Sequence, residues 1–231
     1  ATVTETTRTF RHQPFRLKEH IDRLFRSLKA VGFELDLTRD TLQELSQEIL
    51  EHNARLIPAG HDFGLVHFVS AGQNLTYLGI AGQATYRKPT VCVHTFPLPF
   101  ELWVERLQQG QHLVTPSIRH VPPECLDPKI KNRSRLHWWL ADEQARMVDP
   151  QSVALLLDQQ GNVTETSAAN VFIVRDRKIL TPSRCCTLGG ISQRVVAELA
   201  EQLGLDYEER DLQVYDVVNA DEAFTSCTTY C

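Results

Sequence analysis

The first third of the chain alternates between strand-like and helix-like patterns of apolar residues. Residues Val3–Phe10 alternate in character, which predicts a β-strand. From residue 17 the apolar side chains recur at steps of three and four, which predicts a helix with one apolar face that ends at Gly32. A second helix is predicted from Leu42 to Arg55, with Thr41 and Glu44 as its capping box.

Three further strands are predicted after these helices, over residues 63–70, 76–81 and 90–96. Together these elements predict a small α+β domain in which two helices cover one face of a sheet. The two prolines of Pro97-Leu98-Pro99 form a short, stiff segment that is typical of a linker. The predicted domains are therefore residues 1–98 and residues 99–231.

The second predicted domain contains both helical and strand-like segments. Helices are predicted over residues 134–147 and 191–203, the second followed by Gly204. Strands are predicted over residues 114–121, 153–157, 170–174, 178–180 and 222–226, and a short one carries Glu165. The fold class predicted for the whole chain is α+β.

Composition and charge exclude several classes of function. The 231 residues are 42% apolar and carry a net charge of −5 with no basic block, which argues against nucleic acid as the main partner. No apolar run approaches the roughly 18 residues of a membrane span, and no signal peptide is visible, although the chain begins within an element. The six cysteines lack CxxC spacing and the nine histidines lack HExxH spacing. We therefore expect a cytoplasmic protein with reduced thiols and no metal site.

The stretch from Gly161 to Val174 combines a turn, an acidic strand and a run of small residues. Gly161-Asn162 predicts a turn, Glu165 ends a short strand, and a second strand begins at Asn170. A single carboxylate before small residues suits a charge directed at a group bound close to the backbone. The same pattern also fits a solvated acid at the end of a strand.

This stretch resembles the central motif of the class IV pyridoxal-phosphate enzymes, also called fold type IV. The family contains branched-chain aminotransferases, D-amino acid aminotransferases and aminodeoxychorismate lyases. The matching segments follow the family's order and spacing: Val163–Phe172, Thr181-Pro182, Gly190-Ile191-Ser192 and Ala220–Phe224. The resemblance extends from about Phe15 to Thr229. It implies a two-domain pyridoxal 5'-phosphate enzyme whose larger domain has a central sheet or barrel with helices.

The resemblance also implies two residues at the reacting end of the cofactor. Lys131 corresponds to the family lysine that binds the cofactor covalently and acts in catalysis, with Lys129 as its competitor. Glu165 corresponds to the carboxylate that faces the ring nitrogen. Without the resemblance, Lys131 would be interpreted as a surface charge in a mixed segment.

The remaining implied residues bind the cofactor phosphate. Arg23 lies in a segment similar to the family's "E-H-I/L-x-R-L", and a guanidinium matches a phosphate with a planar fork. The alternative is a surface arginine paired with Glu19. Gly190, Ile191 and Ser192 open a helix, where free N–H groups favour an anion, although an ordinary glycine turn with a serine cap would have the same sequence. Thr228 matches the family's last phosphate-side hydroxyl.

Departures from the family pattern leave the reaction open. Leu136 stands where branched-chain aminotransferases usually carry a tyrosine, and the segment from Lys131 to Leu136 is close to that of the lyases. The first hypothesis is transfer of an amino group from an amino acid, for example a branched-chain one, to a 2-oxo acid. The alternatives are a 4-amino-4-deoxychorismate lyase that releases pyruvate and a non-catalytic binding module. The family resemblance also implies a homodimer, and further family segments before Ala1 and after Cys231.

Overall fold

The computed structural model describes residues 1–58, 60–73 and 88–230. They form two compact units, one of Ala1–Leu98 with Ile130–Ser134 and one of Pro99–Lys129 with Arg135–Cys231. The segment Ile130–Ser134, which the predicted boundary assigned to the second domain, groups with the first unit because its backbone pairs with the first strand. Thr4 N–H donates to the Lys131 carbonyl at 2.9 Å, and Arg133 N–H donates to the Thr2 carbonyl at 3.0 Å.

The first unit combines an antiparallel sheet with two helices. Its elements are β1 Thr2–Phe10, β2 Gln13–Pro14, α1 Leu17–Ala30, α2 Arg39–Asn53, a 3-10 turn Ala54–Leu56, β3 Phe63–Ser70 and β4 Thr90–Pro97. Within the described residues the strand order is β2-β1-β3-β4. The predicted strand over residues 76–81 lies outside the described residues.

The apolar faces predicted for the two helices form the core of this unit. Ile21, Leu24 and Leu28 of α1 pack in one cluster with Leu42 and Leu50 of α2 and with apolar residues of the sheet. Burial of this stripe is the main source of stability for a helix of this length.

The predicted capping box at the start of α2 is wrong. Thr38 is the N-cap, with an extended backbone, and its Oγ1 accepts a hydrogen bond from the Thr41 N–H. Thr41 therefore lies inside the first turn. Both threonines suit a cap by residue type, and the backbone conformation of Thr38 decides between them.

The second unit contains a larger mixed sheet with helices. After a 3-10 turn at Phe100–Leu102, its elements are α3 Val104–Gln109, β5 Leu113–Val114, α4 Leu136–Val148, β6 Val153–Leu157, β7 Val163–Thr166, β8 Asn170–Arg175, β9 Lys178–Thr181, α5 Ile191–Gln202, β10 Asp206–Glu209, α6 Val214–Val218 and β11 Glu222–Ser226. The strands follow the order β10-β9-β8-β7-β6-β5, and β11 pairs with β8. The predicted α+β fold class is confirmed.

The predicted strand over residues 114–121 is wrong beyond its first residue. Strand β5 covers only Leu113–Val114. Pro116 has no N–H to donate to a ladder, and the next residue, Ser117, donates its N–H to the Gln144 side chain at 3.2 Å. This irregular segment places His120 against β6, where its N–H donates to the Leu157 carbonyl at 2.9 Å.

The described helices include none that is both long and apolar enough to cross a membrane.

Candidate active site

The Glu165 carboxylate is held at the end of β7 by donors from two other segments. Leu188 N–H donates to its Oε2 at 3.1 Å, and Asn170 Nδ2 lies 3.4 Å from the same oxygen. Asn170 Nδ2 also lies 3.1 Å from the Leu188 carbonyl, so one amide joins the carboxylate to the loop before α5. Because the side chain of Glu165 is only 13% exposed, these contacts fix its direction.

The second oxygen of this carboxylate faces a histidine. His120 Nε2 lies 3.6 Å from Glu165 Oε1, which is longer than a normal hydrogen bond. His120 Nδ1 lies 2.9 Å from the Val121 carbonyl, which can only accept, so Nδ1 is the donor in this contact. A carboxylate has about four lone-pair sites, and the two donors above both use Oε2. Glu165 therefore retains acceptor capacity at Oε1.

The start of α5 has the features of an anion-binding helix terminus. The first N–H groups of a helix have no acceptor within it, and they favour a negative group there. Ser192 and Gln193 of this first turn are buried, and the Gln193 side chain accepts a hydrogen bond from Gly190 N–H at 3.3 Å. A Cβ on Gly190 would lie 2.2 Å from Asn170 Oδ1, so any larger residue here would require Asn170 or the helix start to move.

In the first unit, a buried charge cluster joins β1 to α1. Glu5 is fully buried and accepts two hydrogen bonds from Arg23, from Nε and from Nη2, each at 2.7 Å. His20 Nδ1 lies 3.0 Å from the same carboxylate. Burial alone would raise the pKa of Glu5, but the charge and hydrogen bonds of Arg23 and His20 outweigh it and hold the pKa well below its usual range.

A second buried polar pair lies beside this cluster, on β3 and α2. Ser46 Oγ donates to the Leu42 carbonyl at 2.6 Å, so the hydrogen bond of 2.7 Å between Ser46 Oγ and His67 Nε2 has the ring as donor. Among the described residues, His67 Nδ1 is buried without a hydrogen-bond partner. Burial lowers the pKa of His67 to about 4, so the ring is neutral near pH 7.

Comparison with known proteins supports an enzyme family. The family model described as amino-transferase class IV matches residues 2–230. The chain belongs to the class IV aminotransferases.

Several relatives of this class IV aminotransferase cover nearly the whole chain. It is 32% identical to a putative branched-chain-amino-acid aminotransferase of Methanocaldococcus jannaschii over 227 residues, which is 98% of this chain and 74% of the relative. Its fold is similar to that of the Escherichia coli branched-chain amino acid aminotransferase, with a TM-score of 0.88, 26% identity, and coverage of 99% and 74% of the two chains. The branched-chain amino acid aminotransferase of Thermobaculum terrenum in its PLP form matches with a TM-score of 0.84 and 27% identity, over 99% and 74% of the two chains. The predicted family is confirmed.

In this class IV aminotransferase, the predicted site residues belong to different units. Arg23 and Lys131 lie in the first unit, whereas Glu165, Gly190 and the residues that follow it lie in the second. Lys131 is half-buried, and its N–H donates to Ser27 Oγ at 3.3 Å. Its competitor Lys129 is exposed, with its ammonium 3.4 Å from Asp127. The cofactor roles of these residues stay predictions.

The structure assigns Arg23 a partner that the sequence interpretation did not name. The alternative of a surface arginine is wrong, because Arg23 is buried against Glu5. Glu19 binds Arg16 at 3.1 Å. Thr228 is half-buried just after β11. Its predicted role, like the phosphate role of Arg23, stays a prediction.

Several polar residues of the two units were not predicted as site residues. They are His20, His67, His120 and Asn170. Asn170 had a signal, since it follows the run of small residues after Glu165 in the family-like motif. His120 had none, because a single histidine before a Val-Pro-Pro sequence matches no motif with a known role.

Proposed function

We propose that this chain is a pyridoxal-phosphate-dependent aminotransferase that moves an amino group from an amino acid to a 2-oxo acid. One observation carries this assignment. Asn170 binds the Glu165 carboxylate and also approaches Gly190 at the start of α5, so an acid and an anion-binding helix terminus are built as one unit. Pyridoxal phosphate has a basic ring nitrogen and a phosphate, and these two groups match that acid and that terminus.

Bound pyridoxal phosphate supplies an electron sink that acidifies the α-carbon of an amino acid. Glu165 would serve it by facing the ring nitrogen with Oε1 and holding a proton there, since a carboxylate nearby stabilises a cation. The Leu188 N–H and the Asn170 amide keep Glu165 oriented through Oε2. The residues present in the second unit therefore fit the cofactor.

Lys131 is our candidate for the covalent attachment of the cofactor, and its amine would then move a proton to and from the substrate α-carbon. Its backbone is fixed by Thr4 and Ser27, which limits how the side chain can be presented. Proton transfer of this kind by a positioned side chain contributes about 100- to 10,000-fold to rates.

Phosphate binding is assigned to the N–H groups of Ile191 and Ser192, to the Ser192 hydroxyl and to Thr228, with Gly190 allowing a close approach of the backbone. Arg23 is the further candidate, and its contacts with Glu5 would fix the plane of its guanidinium. Branched-chain amino acids are the first donors to test, because several relatives carry that description. A cytoplasmic homodimer is the assembly we propose.

Absorbance spectroscopy and mass mapping test this assignment. Purified protein incubated with pyridoxal phosphate should develop a visible band, which borohydride should abolish while it fixes the cofactor to a peptide that contains Lys131. Lys131→Ala should lose the band, and the matched control Lys129→Ala should keep it. Label on Lys129 would overturn the site, and a protein that takes up no cofactor would instead support a binding module.

A donor screen then separates the reactions. Transfer of the amino group from branched-chain amino acids to 2-oxoglutarate, measured as glutamate formed, is the expected result. Release of pyruvate from aminodeoxychorismate without amino transfer would overturn the aminotransferase assignment in favour of a lyase.

A further inference from the structure

Two adjacent cysteines lie in the loop between β9 and α5. Cys185 is exposed and Cys186 is half-buried, and their sulfur atoms lie 3.1 Å apart. None of the roles assigned above uses either thiol. The sequence offered no motif here, because neighbouring cysteines lack the spacing of metal-binding or thioredoxin-like pairs.

The loop that carries these thiols also carries a donor to Glu165. Cys186 N–H donates to the Ser183 carbonyl at 3.1 Å, which closes a turn. Two residues further on, Leu188 N–H donates to Glu165 Oε2 at 3.1 Å. Only one residue separates Cys186 from Leu188, so a change in backbone conformation at residues 185 and 186 is expected to move the Leu188 N–H.

We propose that Cys185 and Cys186 form a redox-sensitive dithiol site that small-molecule disulfides convert to an intramolecular disulfide, and that this conversion displaces the Leu188 donor from Glu165. The displacement of the Leu188 donor does not depend on the proposed function, because the hydrogen bond to Glu165 is part of the fold. Only an effect of this displacement on catalysis rests on the proposed function. The ligand class is a low-molecular-weight disulfide that accepts two electrons.

The two thiols have different roles in this exchange. Cys185 is the exposed sulfur, so it attacks the disulfide R–S–S–R, forming a Cys185–S–R bond and releasing R–S⁻. Cys186 then attacks Cys185 Sγ, forming the Cys185–Cys186 bond and releasing the second R–S⁻. Two protons leave the protein thiols, the cysteines are oxidised by two electrons, and the small disulfide is reduced to two thiols.

The order of attack agrees with the electrostatics of the pair. Burial, together with the hydrogen bond and the charge of the neighbouring Cys185 sulfur, raises the pKa of Cys186 to about 12. A thiol with so high a pKa is a poor first nucleophile. Once Cys185 is in a mixed disulfide its sulfur carries no charge, so the charge no longer raises the pKa of Cys186 and Cys186 becomes a better nucleophile.

The geometry of adjacent residues makes the product labile. Consecutive Cα atoms lie about 3.8 Å apart across a trans peptide, below the roughly 4.4 Å lower limit of common disulfides. The backbone must therefore distort when the bond closes, and a strained disulfide is easily reduced. This combination is typical of reversible regulation and unlike a structural disulfide.

Peptide mapping of the full chain tests the site. After incubation with oxidised glutathione, we expect the peptide that contains Cys185 and Cys186 to lose two hydrogens, and dithiothreitol should restore them. Cys185→Ser and Cys186→Ser should each abolish this loss, whereas Cys125→Ser, which removes another exposed thiol, should not. Unreacted thiols at this pair, or glutathione retained stably on Cys185, would overturn the assignment.

Hydrogen exchange tests the coupling without any cofactor. Oxidation should increase exchange of the Leu188 amide at least about 10-fold, which corresponds to the loss of roughly 1.4 kcal/mol of protection. Cys186→Ser treated in the same way should show no increase. Unchanged protection in a chain whose disulfide is confirmed by mass would overturn the coupling. Because neither readout uses the cofactor, these results are independent of whether the chain is an aminotransferase.

Discussion

Glu5 and Glu165 are both acids on strands, but their surroundings differ in a way that separates structure from chemistry. Glu5 is fully buried, and two hydrogen bonds from Arg23 and one contact with His20 use both of its oxygens. Glu165 is partly exposed, and its two hydrogen-bond donors share Oε2. Both oxygens of Glu5 therefore accept from protein groups, whereas Oε1 of Glu165 is still able to accept a hydrogen bond from a bound ligand.

This difference indicates what each charge does. A buried carboxylate such as Glu5 matters for stability because it pairs with a buried cation. Removing it leaves that cation unpaired, which is very costly in free energy. A carboxylate that is oriented through one oxygen is suited to bind a proton donor at the other. Substitution at Glu5 should therefore act on stability, and substitution at Glu165 on chemistry.

The largest expected effect is that of Glu5→Gln on stability. Removing this charge leaves the Arg23 guanidinium buried without its counter-ion, which should lower the free energy of unfolding by about 3–5 kcal/mol. Urea denaturation of the cofactor-free protein measures it. The matched control is Asp22→Asn, which breaks an exposed ion pair of 2.9 Å with Lys18 on the same helix and should cost less than about 1 kcal/mol.

The double variant Glu5→Gln/Arg23→Gln distinguishes the effect of an unpaired buried charge from a general disruption of the fold. It removes both charges, so it should recover part of the lost stability even if Glu5→Gln alone does not fold. If the double variant were as unstable as Glu5→Gln, the unpaired charge would not be the cause.

Acid should destabilise the first unit for a related reason. Burial lowers the pKa of His67 from 6.5 to about 4. Between these two pH values His67 is protonated in the unfolded chain and neutral in the folded chain. This lowering corresponds to roughly 3 kcal/mol of stability that is present above pH 6.5 and is lost as the pH falls towards 4. The lowered pKa values of His20 and Glu5 act with the same sign, Glu5 at lower pH.

Urea denaturation of cofactor-free protein between pH 7 and pH 4 measures this loss. His67→Gln removes one titrating group and should flatten the slope, whatever it does to stability at pH 7. His52→Gln, which changes an exposed histidine, should leave the slope as it is. Parallel slopes for the chain and its His67→Gln variant would contradict the pKa assignment.

Glu165→Gln should have the opposite profile. An amide oxygen can still accept the Leu188 N–H, so stability should change by only about 1 kcal/mol and the cofactor should be retained. Turnover should fall at least about 100-fold, because the negative charge that we propose faces the ring nitrogen is lost. Steady-state rates with a saturating amino donor measure it, and unchanged turnover would remove the proposed role of Glu165.

The sequence predicted local elements well and long-range contacts poorly. The apolar period of three and four located α1 and α5, because that pattern is a property of consecutive residues. The strand predicted over residues 114–121 failed because periodicity ignores whether each residue has an N–H to donate, and Pro116 has none.

The contrast between the two acids could not be predicted by pattern. Glu5 and Arg23 lie 18 residues apart, on a strand and a helix, and no short motif specifies that they meet. Glu165 was identified by the family-like motif around it, but its contact with Leu188, 23 residues further along, is a product of the fold. Such long-range contacts decide which of the two carboxylates has hydrogen bonds to both of its oxygens.

The smallest effect expected here distinguishes two neighbouring glycines at the helix start that accompanies Glu165. A Cβ on Gly190 would lie 2.2 Å from Asn170 Oδ1, whereas a Cβ on Gly189 would meet nothing within 4 Å. Neither residue has a positive φ, so alanine fits both backbones and only space distinguishes them. Gly190→Ala should force Asn170 or the helix start to move, at a cost of about 1–3 kcal/mol.

Cofactor affinity, followed by the visible band at increasing pyridoxal phosphate, should show this difference. Gly190→Ala should weaken binding by about 10-fold, which is roughly 1.4 kcal/mol, and Gly189→Ala should weaken it less. If the two variants bound equally well, Asn170 would not connect the proposed phosphate site at the start of α5 to the Glu165 carboxylate. Glu165 would then be an oriented carboxylate without a phosphate site beside it. Glu5 and Glu165 would differ only in how deeply their side chains are buried.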